Sequence, residues 1–228
     1  MSTEDMEKDL RVRRRHRLEQ DHSELLALQG RSRMIRIRPV DHIQGRPPEK
    51  YIVTYRCNGF IGVKLHELPN GSKERRPLVG DHHEVEITLT PEYPGRQPRL
   101  VWLTDIWHPN IERTPPRHVC TDEATSHMVR KPLVELILYL GEMVQYKRYH
   151  AKWEPPFPFD QEVATWVVAE AEPKGWVGPN QPLDSRPLLD SIPDMPPAQA
   201  DAGTDTFDDP HPDDADVADD WAPVQDAD

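Results

Sequence analysis

The residue with the clearest chemical potential is Cys120, because it lies in a segment without helical or strand periodicity. That segment runs from residue 107 to residue 131, and long irregular segments in compact domains are commonly functional. A thiolate is an effective nucleophile when nearby groups favour its formation or stabilise its transition state. Polar side chains of that kind lie close in sequence: His108, Asn110, His118, Asp122 and His127. Cys120 is therefore a candidate nucleophile, with a set of neighbours that a cysteine hydrolase would also show.

The only other cysteine, Cys57, has a different setting. It ends a strand pattern over residues 51–57 in which the apolar side chains alternate with polar ones. Tyr51, Val53, Tyr55 and Cys57 fall on one face of that strand, since successive side chains of a strand point to opposite faces. We therefore expect Cys57 to be a buried core residue.

The surrounding elements predict an α+β domain. A helix over residues 3–29 can be capped by Ser2 or Thr3 and ended by Gly30. Four strands follow over residues 34–38, 51–57, 84–89 and 100–103, separated by turn signals, and they predict an antiparallel meander. Residues 68–81, around Asn70-Gly71, are predicted to be a polar turn region.

Two helices are predicted after the long irregular loop. Pro132 opens a central helix, whose buried stripe contains Leu133, Leu136, Ile137, Leu140 and Val144. A short C-terminal helix over residues 161–170 is predicted to be capped by Asp160. The order is thus one helix, four strands, a long loop and two helices, with the helices packed about one sheet.

Charge divides the chain in two. Residues 173–228 contain fourteen Asp, no Glu and only two bases, so their balance of −12 equals the net charge of the whole chain. This segment also holds ten of the 25 prolines, and such a composition buries too little apolar surface to offset its ordering entropy. We predict a folded domain over residues 1–172 and a disordered acidic tail over residues 173–228.

The tail has two interpretations. It can be a solubilising appendage, or it can bind a partner through Phe207 and Trp221, which stand isolated among aspartates.

Other classes of protein are disfavoured. No window reaches the ~18 apolar residues of a membrane span, and the charged N-terminal residues lack the apolar core of a signal peptide. Two cysteines form neither a disulfide framework nor a paired-cysteine zinc pattern. We therefore expect a cytoplasmic location with both thiols reduced. No phosphate-cradling glycine loop or metal cluster is present, so we expect no cofactor and no metal site.

Four motifs in order resemble the ubiquitin-conjugating enzyme family. They are Tyr93-Pro94-Gly95-Arg96-Gln97-Pro98, the strand Leu100-Val101-Trp102-Leu103, His108-Pro109-Asn110 and Cys120-Thr121-Asp122. The Pro-rich segment from Pro156 to Phe159 that leads into the last helix is also similar. The resemblance covers roughly residues 5–170 and implies a ubiquitin-conjugating-like fold.

The resemblance also implies chemistry and partners. Cys120 would accept the C-terminal carboxyl group of a ubiquitin-like modifier as a thioester from an activating enzyme, and would pass it to an amine of a substrate protein. Asn110 would donate to the developing oxyanion or order the loop, and His108 would brace that loop more than act as a base. Asp122 would have a structural role first. Neither nucleic acid nor membrane is implied as a partner, and nucleotide would be handled by the activating enzyme.

Other residues are assigned by the same resemblance. The first helix of the family helps to dock the activating enzyme, so the basic cluster of this helix would form that contact: Arg11, Arg13, Arg14, Arg15 and Arg17. A solvated helix face is the alternative explanation of the cluster. The segment 149–153 replaces the loop that normally borders the site, and there His150 or Tyr149 could orient or deprotonate an incoming lysine or simply pack.

The chain departs from the family pattern in ways that leave alternatives open. Asn110 and Cys120 are ten positions apart, which is longer than usual, and Pro115-Pro116 occupies the lengthened part. The usual tryptophan after the cysteine and the two usual final helices are missing. A shortened, divergent domain of this type resembles bacterial members of the family. A catalytically inactive binding module of the same fold and a cysteine hydrolase remain the competing hypotheses.

Overall fold

The computed structural model describes residues 2–40, 43–120, 131–155 and 158–190. Seven strands and three helices occur in these residues. The chain divides into a compact unit, Met1–Ser191, and a second unit, Ile192–Asp228, which lies outside the described residues. Asp122, His127, Phe207 and Trp221 also lie outside them.

The main sheet has five antiparallel strands in the order β1-β2-β5-β6-β7. Their bounds are β1 Ile35–Val40, β2 Lys50–Tyr55, β5 His83–Thr88, β6 Arg99–Trp102 and β7 Arg117–His118. Strands β3 (Gly59–Glu67) and β4 (Lys73–Gly80) form a separate two-stranded sheet. The four predicted strands correspond to β1, β2, β5 and β6, and they are neighbours in the sheet as a meander requires.

Two of the three helices in the described residues begin at a side-chain cap. Helix α1 spans Thr3–Gly30, and Ser2 caps it in a reciprocal capping box with Asp5. Helix α2 spans Leu133–Val144 and is preceded by Pro132. Helix α3 spans Gln161–Trp166, and the Asp160 side chain accepts a hydrogen bond from Val163 N. A π-helical turn, Val167–Ala171, continues α3. The predicted α+β class and helix order are thus confirmed.

Two apolar clusters fill the domain. The first lies between the main sheet, α1 and α2, and the stripe predicted for α2 is buried in it. Cys57 is fully buried in the same cluster, as predicted. The second cluster joins Phe60, Trp107 and Tyr146 to α3 and its π-helical turn. It packs the segment before His108 against the last helix.

Asp21 ties three elements together although it is only 1% exposed. Its carboxylate accepts hydrogen bonds from Arg17 Nε at 2.8 Å, from the Tyr93 hydroxyl at 2.5 Å and from Leu133 N at 3.2 Å. A buried carboxylate is tolerated only when it is paired and hydrogen-bonded. Asp21 therefore fixes α1, the Tyr93 turn and the start of α2 relative to one another.

The outer edge of β1 is closed by side chains. Ile35 N donates to Ser32 Oγ at 3.1 Å and Ile37 N donates to Gln29 Oε1 at 2.6 Å. Pro39, the next residue with the same orientation, has no N–H to offer. The donors that an additional strand would need are thus already used or missing.

The segment predicted as a polar turn over residues 68–81 contains the whole of strand β4. The turn itself is found at Asn70-Gly71, where Gly71 has a φ of 78°. Strand β4 was missed because its residues are largely charged and mostly exposed or half-buried, so no apolar alternation marks it.

Packed structure continues beyond the predicted boundary at residue 172. Val177 and Leu188 are buried, and Leu183 N donates to Gln145 O at 3.0 Å. Near the end of the described chain, Asp190 N donates to Arg31 O at 2.9 Å. Residues 173–190 therefore pack with the domain, and the compact unit ends at Ser191.

Among the described residues, helices are too short or too polar to cross a bilayer.

Candidate active site

Asn110 and Cys120 are cross-strand neighbours in a short hairpin. Cys120 N donates to Asn110 O at 2.8 Å, and Glu112 N donates to His118 O at 3.0 Å. An antiparallel bridge pairs Ile111 with Val119 between them. Residues 113–116 form the turn, so Pro115-Pro116 lies at its tip. The long spacing therefore extends the hairpin outward and leaves Asn110 beside Cys120.

The hairpin has two faces. Ile111 is fully buried and Val119 packs against the same main cluster. Because side chains alternate along a strand and cross-strand partners share a face, the other face carries Asn110 with Cys120 and Glu112 with His118. Cys120 is 7% exposed and neither cysteine is in a disulfide. Cys57 has a different environment from Cys120, because burial in the core raises the pKa of the Cys57 thiol to about 12.

The side-chain amide of Asn110 bonds to both the C=O and the N–H of His150. Its Nδ2 donates to His150 O at 3.2 Å, and its Oδ1 accepts from His150 N at 2.8 Å. A carboxamide nitrogen has two hydrogens, so one N–H of Nδ2 is left over from this pair of bonds. Asn110 thus orders the loop that borders the cysteine, and it retains one donor.

His108 braces the same loop. Its Nδ1 accepts from Asn110 N at 3.1 Å, so Nε2 carries the ring hydrogen and donates to Arg148 O at 3.2 Å. The ring is fully buried, and this burial lowers the pKa of His108 to about 3, although the bond to Arg148 acts in the opposite direction. The imidazole is therefore neutral at pH 7, and both nitrogens are engaged with the backbone.

The loop after α2 is shaped by Tyr146. Its φ of 54° is uncommon for a residue other than glycine. The ring lies 4.9 Å from Phe60 and 5.0 Å from His108 between centroids, and the hydroxyl donates to Trp107 O. The aromatic contacts thus keep the chain turned so that Arg148 and His150 face the His108-Pro109-Asn110 segment.

His150 is placed beside the site by its backbone rather than by its ring. The ring Nε2 lies 3.0 Å from Glu154 O, within the same loop. The neighbouring Tyr149 hydroxyl donates to Glu172 at 2.7 Å.

The structure separates the predicted basic cluster into two groups. Arg14 is bound to Glu49 and to the carbonyls of Leu89 and Thr90, and Arg17 is bound to the buried Asp21. The side chains of Arg11, Arg13 and Arg15 are 80%, 75% and 64% exposed and pair with acids one helical turn away in α1, and Arg15 also donates to Gly45 O at 3.3 Å. The first two therefore hold the fold, and the other three face outward.

Two positioning residues could not be recognised from sequence. Asp160 N donates to Pro109 O at 2.9 Å, and its carboxylate binds Arg113 Nε while capping α3. Arg113 also reaches Glu162 at 2.8 Å and lies over the Trp107 ring. Asp160 was expected only as a cap, and a single arginine in an irregular segment gives no signal. Together they attach the hairpin to α3.

No protein-family model and no curated protein matches the chain. Among solved structures, the E2 domain of a Toxoplasma gondii ubiquitin conjugating enzyme is 20% identical, with 69% of this chain and 88% of that chain covered and a TM-score of 0.45. A structure described as a novel ubiquitin-conjugating enzyme is 19% identical, with 68% of this chain and 85% of that chain covered and a TM-score of 0.46. At these identities the likeness concerns the fold alone and says nothing about activity.

Proposed function

We propose that the chain is a ubiquitin-like-protein conjugating enzyme that carries its modifier as a thioester on Cys120. The observation that supports this most directly is the hairpin, because it places the cysteine next to Asn110, whose amide orders the bordering loop. The ordered motifs from Tyr93 to Asp122, which resemble those of the conjugating enzymes, point to the same chemistry.

The reaction has two acyl transfers. In the first, Cys120 Sγ attacks the carbonyl carbon of the thioester between modifier and activating enzyme, and the activating enzyme leaves as a thiolate. In the second, a neutral amine of the substrate protein attacks the new thioester, a C–N bond forms as the C–S bond breaks, and Cys120 leaves as a thiol that has gained the proton lost by the nitrogen. Both steps place negative charge on the carbonyl oxygen. The remaining N–H of Asn110 is the donor available for it, and such a donor typically contributes ~2.7–4 kcal/mol.

The other predicted site residues have supporting roles in this proposal. His108, buried and neutral, holds Arg148 in the loop and takes no part in proton transfer. His150 presents its backbone to Asn110, and we assign to its ring the orientation of the incoming amine. Asp122 is assigned a structural role by its position two residues after the cysteine.

The test is formation of a covalent adduct. The full chain is incubated with an activating enzyme, ATP and a ubiquitin-like modifier, and the products are separated with and without reductant. We expect a reducible adduct that becomes a reductant-resistant ester in Cys120→Ser, with Cys57→Ser as the matched control that keeps the thioester. Absence of an adduct with every modifier tried would favour the inactive binding module.

We further propose that the exposed arginines of α1 contact the activating enzyme. Arg11→Glu with Arg13→Glu should slow charging, while Lys64→Glu with Lys73→Glu on the β3–β4 hairpin changes the net charge equally and should not. Arg14 and Arg17 are left intact because they bind within the fold. Equal charging rates for both double variants would exclude this docking surface.

A cysteine hydrolase is the second candidate, and one observation favours it. The sequence alone offers no histidine with an orienting acid, but the hairpin places His118 against Glu112 on the cysteine face. Incubation with a preformed modifier conjugate distinguishes the two activities, because a hydrolase releases free modifier without an activating enzyme or ATP.

A further inference from the structure

His118 and Glu112 form a bound pair on the face of the hairpin that carries Cys120. The Glu112 carboxylate accepts from His118 Nδ1 at 2.9 Å and from His118 N at 3.2 Å. Bonds from His118 lower the pKa of the Glu112 carboxyl, so it remains a charged acceptor. A carboxylate on Nδ1 keeps the hydrogen there and leaves the lone pair of Nε2 available.

The hairpin sets the distance between this pair and the thiol. His118 and Cys120 are two positions apart on the same strand, which puts their side chains on one face about 7 Å apart at the backbone. Asn110 lies across from Cys120 just as Glu112 lies across from His118. The four side chains thus form two adjacent cross-strand pairs.

Other charges around His118 do not compete for its Nε2. Val101 is its cross-strand neighbour on β6, and Val101 is uncharged. Arg117 is turned to Asp105, with 2.8 Å between Nη2 and Oδ1. The other charged groups on this face of the sheet, within the described part of the chain, are Arg99 on β6, Glu84 and Glu86 on β5, Lys50 on β2, and Arg36 and Arg38 on β1. Glu86 lies 3.2 Å from Lys50 and 3.9 Å from Arg99.

We propose that His118, oriented by Glu112, accepts the thiol proton of Cys120 during charging. The proton moves from Sγ to Nε2 as Sγ attacks the carbonyl carbon of the activating enzyme's thioester. The bond from that carbon to the activating enzyme's sulfur breaks, and the leaving thiolate takes the proton from Nε2. No oxidant or reductant is needed. Glu112 acts through His118 and is a positioning residue.

The inference rests on the proposed function for the identity of the acyl donor, but its test needs no partner. The full chain is treated with iodoacetamide across a range of pH, and alkylation of the Cys120 peptide is followed by mass spectrometry. The variants are His118→Gln and Glu112→Gln. The matched control is His82→Gln, which removes a histidine lying 3.6 Å from Glu84 before β5.

Removal of the imidazole should move the pH midpoint of Cys120 alkylation upward by about one unit, which is roughly a tenfold lower rate below the midpoint. Glu112→Gln should move it in the same direction by less, and His82→Gln should not move it. Cys57 reports folding, because it reacts only if the core opens. A His118→Gln profile that superimposes on the wild-type profile, with Cys57 still protected, overturns the proposal.

Failure of the two proposals can be told apart. A shifted alkylation profile without any modifier adduct would support His118 as the proton acceptor and exclude the conjugating function. Charging of the wild-type chain together with an unshifted alkylation profile would support the conjugating function and exclude His118 as the proton acceptor.

Discussion

Asn110 is the side chain that joins the cysteine hairpin to the loop after α2. Both ends of its amide are bonded to His150, one through Nδ2 and the other through Oδ1. Its backbone is at the same time paired with Cys120. A structural and a catalytic role are therefore combined in one residue, and a variant will affect both.

Asn110→Ala should lower the free energy of unfolding by about 1–3 kcal/mol, because His150 N–H and C=O lose their partners. Asn58→Ala is the matched control, since that side chain is exposed and should change stability by less than about 0.5 kcal/mol. Urea denaturation followed by circular dichroism measures both. Equal stability of the two variants would show that the His150 bonds contribute nothing.

His108 should make stability depend on acid pH. Its pKa is about 3 in the folded protein, below the ordinary histidine value of about 6.5. The unfolded chain therefore binds a proton between these values while the folded chain does not, so stability falls as pH drops below about 6.5. Between pH 6.5 and pH 4.5 the wild type should lose up to about 1.4 kcal/mol per unit more than His108→Gln.

Denaturant titrations at several pH values give that difference in slope. His83 should contribute in the same direction, because burial also lowers its pKa. Parallel curves for the wild type and His108→Gln would mean that the ring is protonated in the folded state.

Among the elements, those with a regular apolar periodicity could be predicted from the sequence, and those without such a periodicity could not. Strand β2 and helix α2 were recognisable because burial imposes alternation or a stripe on their side chains. Strand β4 was not, since its stability comes from pairing with β3 and from ion pairs such as Arg75–Glu170 at 2.6 Å.

The site shows the same division. Cys120, Asn110 and His108 could be predicted because their order along the chain carries the signal. The pairing of Glu112 with His118 could not, because it exists only once residues 113–116 turn and bring the two strands together. Likewise Asp160 N bonds to Pro109 O across 51 positions of the chain, and no local sequence pattern predicts such a contact.

Packing around Gly141 predicts that alanine is less favourable than glycine at this helical position. Alanine normally stabilises a helix relative to glycine by about 1 kcal/mol. A Cβ at Gly141 in α2 would lie 2.7 Å from Leu188 Cδ1 and 3.0 Å from Tyr55 Cε1. We expect Gly141→Ala to destabilise by about 1–3 kcal/mol.

Gly30→Ala is the control, because nothing lies within 4 Å of its added Cβ. Thermal melting of both variants should show opposite shifts in Tm. The Gly141→Ala penalty should also shrink in a Leu188→Ala background, since the close contact is then removed. An unchanged Gly141→Ala penalty in the Leu188→Ala background would show that the contact with Leu188 is not its cause.

At the scale of the whole molecule, the position of the last packed residues decides where the chain can be shortened. Ending the chain after Ser191 should leave Tm unchanged. Ending it after Glu172 removes Val177 and Leu188 from the core and Asp184, which accepts from Asn58 N at 2.9 Å. Each lost buried side chain costs roughly 2–5 kcal/mol, and 1 kcal/mol corresponds to about 2–4 °C at this size.

The shorter chain should therefore melt at least about 10 °C lower, or fail to fold at all. Differential scanning calorimetry of both truncated chains beside the full chain gives the comparison. Identical melting of the chain ended after Glu172 and the full chain would show that residues 173–190 add no stability.

The bond between Asp190 and Arg31 also bears on synthesis of the protein. Ribosomes add about 5–20 residues per second, so roughly 8–32 s separate the appearance of Arg31 from that of Asp190. During that interval α1 and β1 exist without the segment that closes over them. The bonds that seal the outer edge of β1 involve only residues 29–39, the last of which is synthesised early in this period. A nascent chain on a crowded ribosome is thus protected at that edge long before its fold is finished.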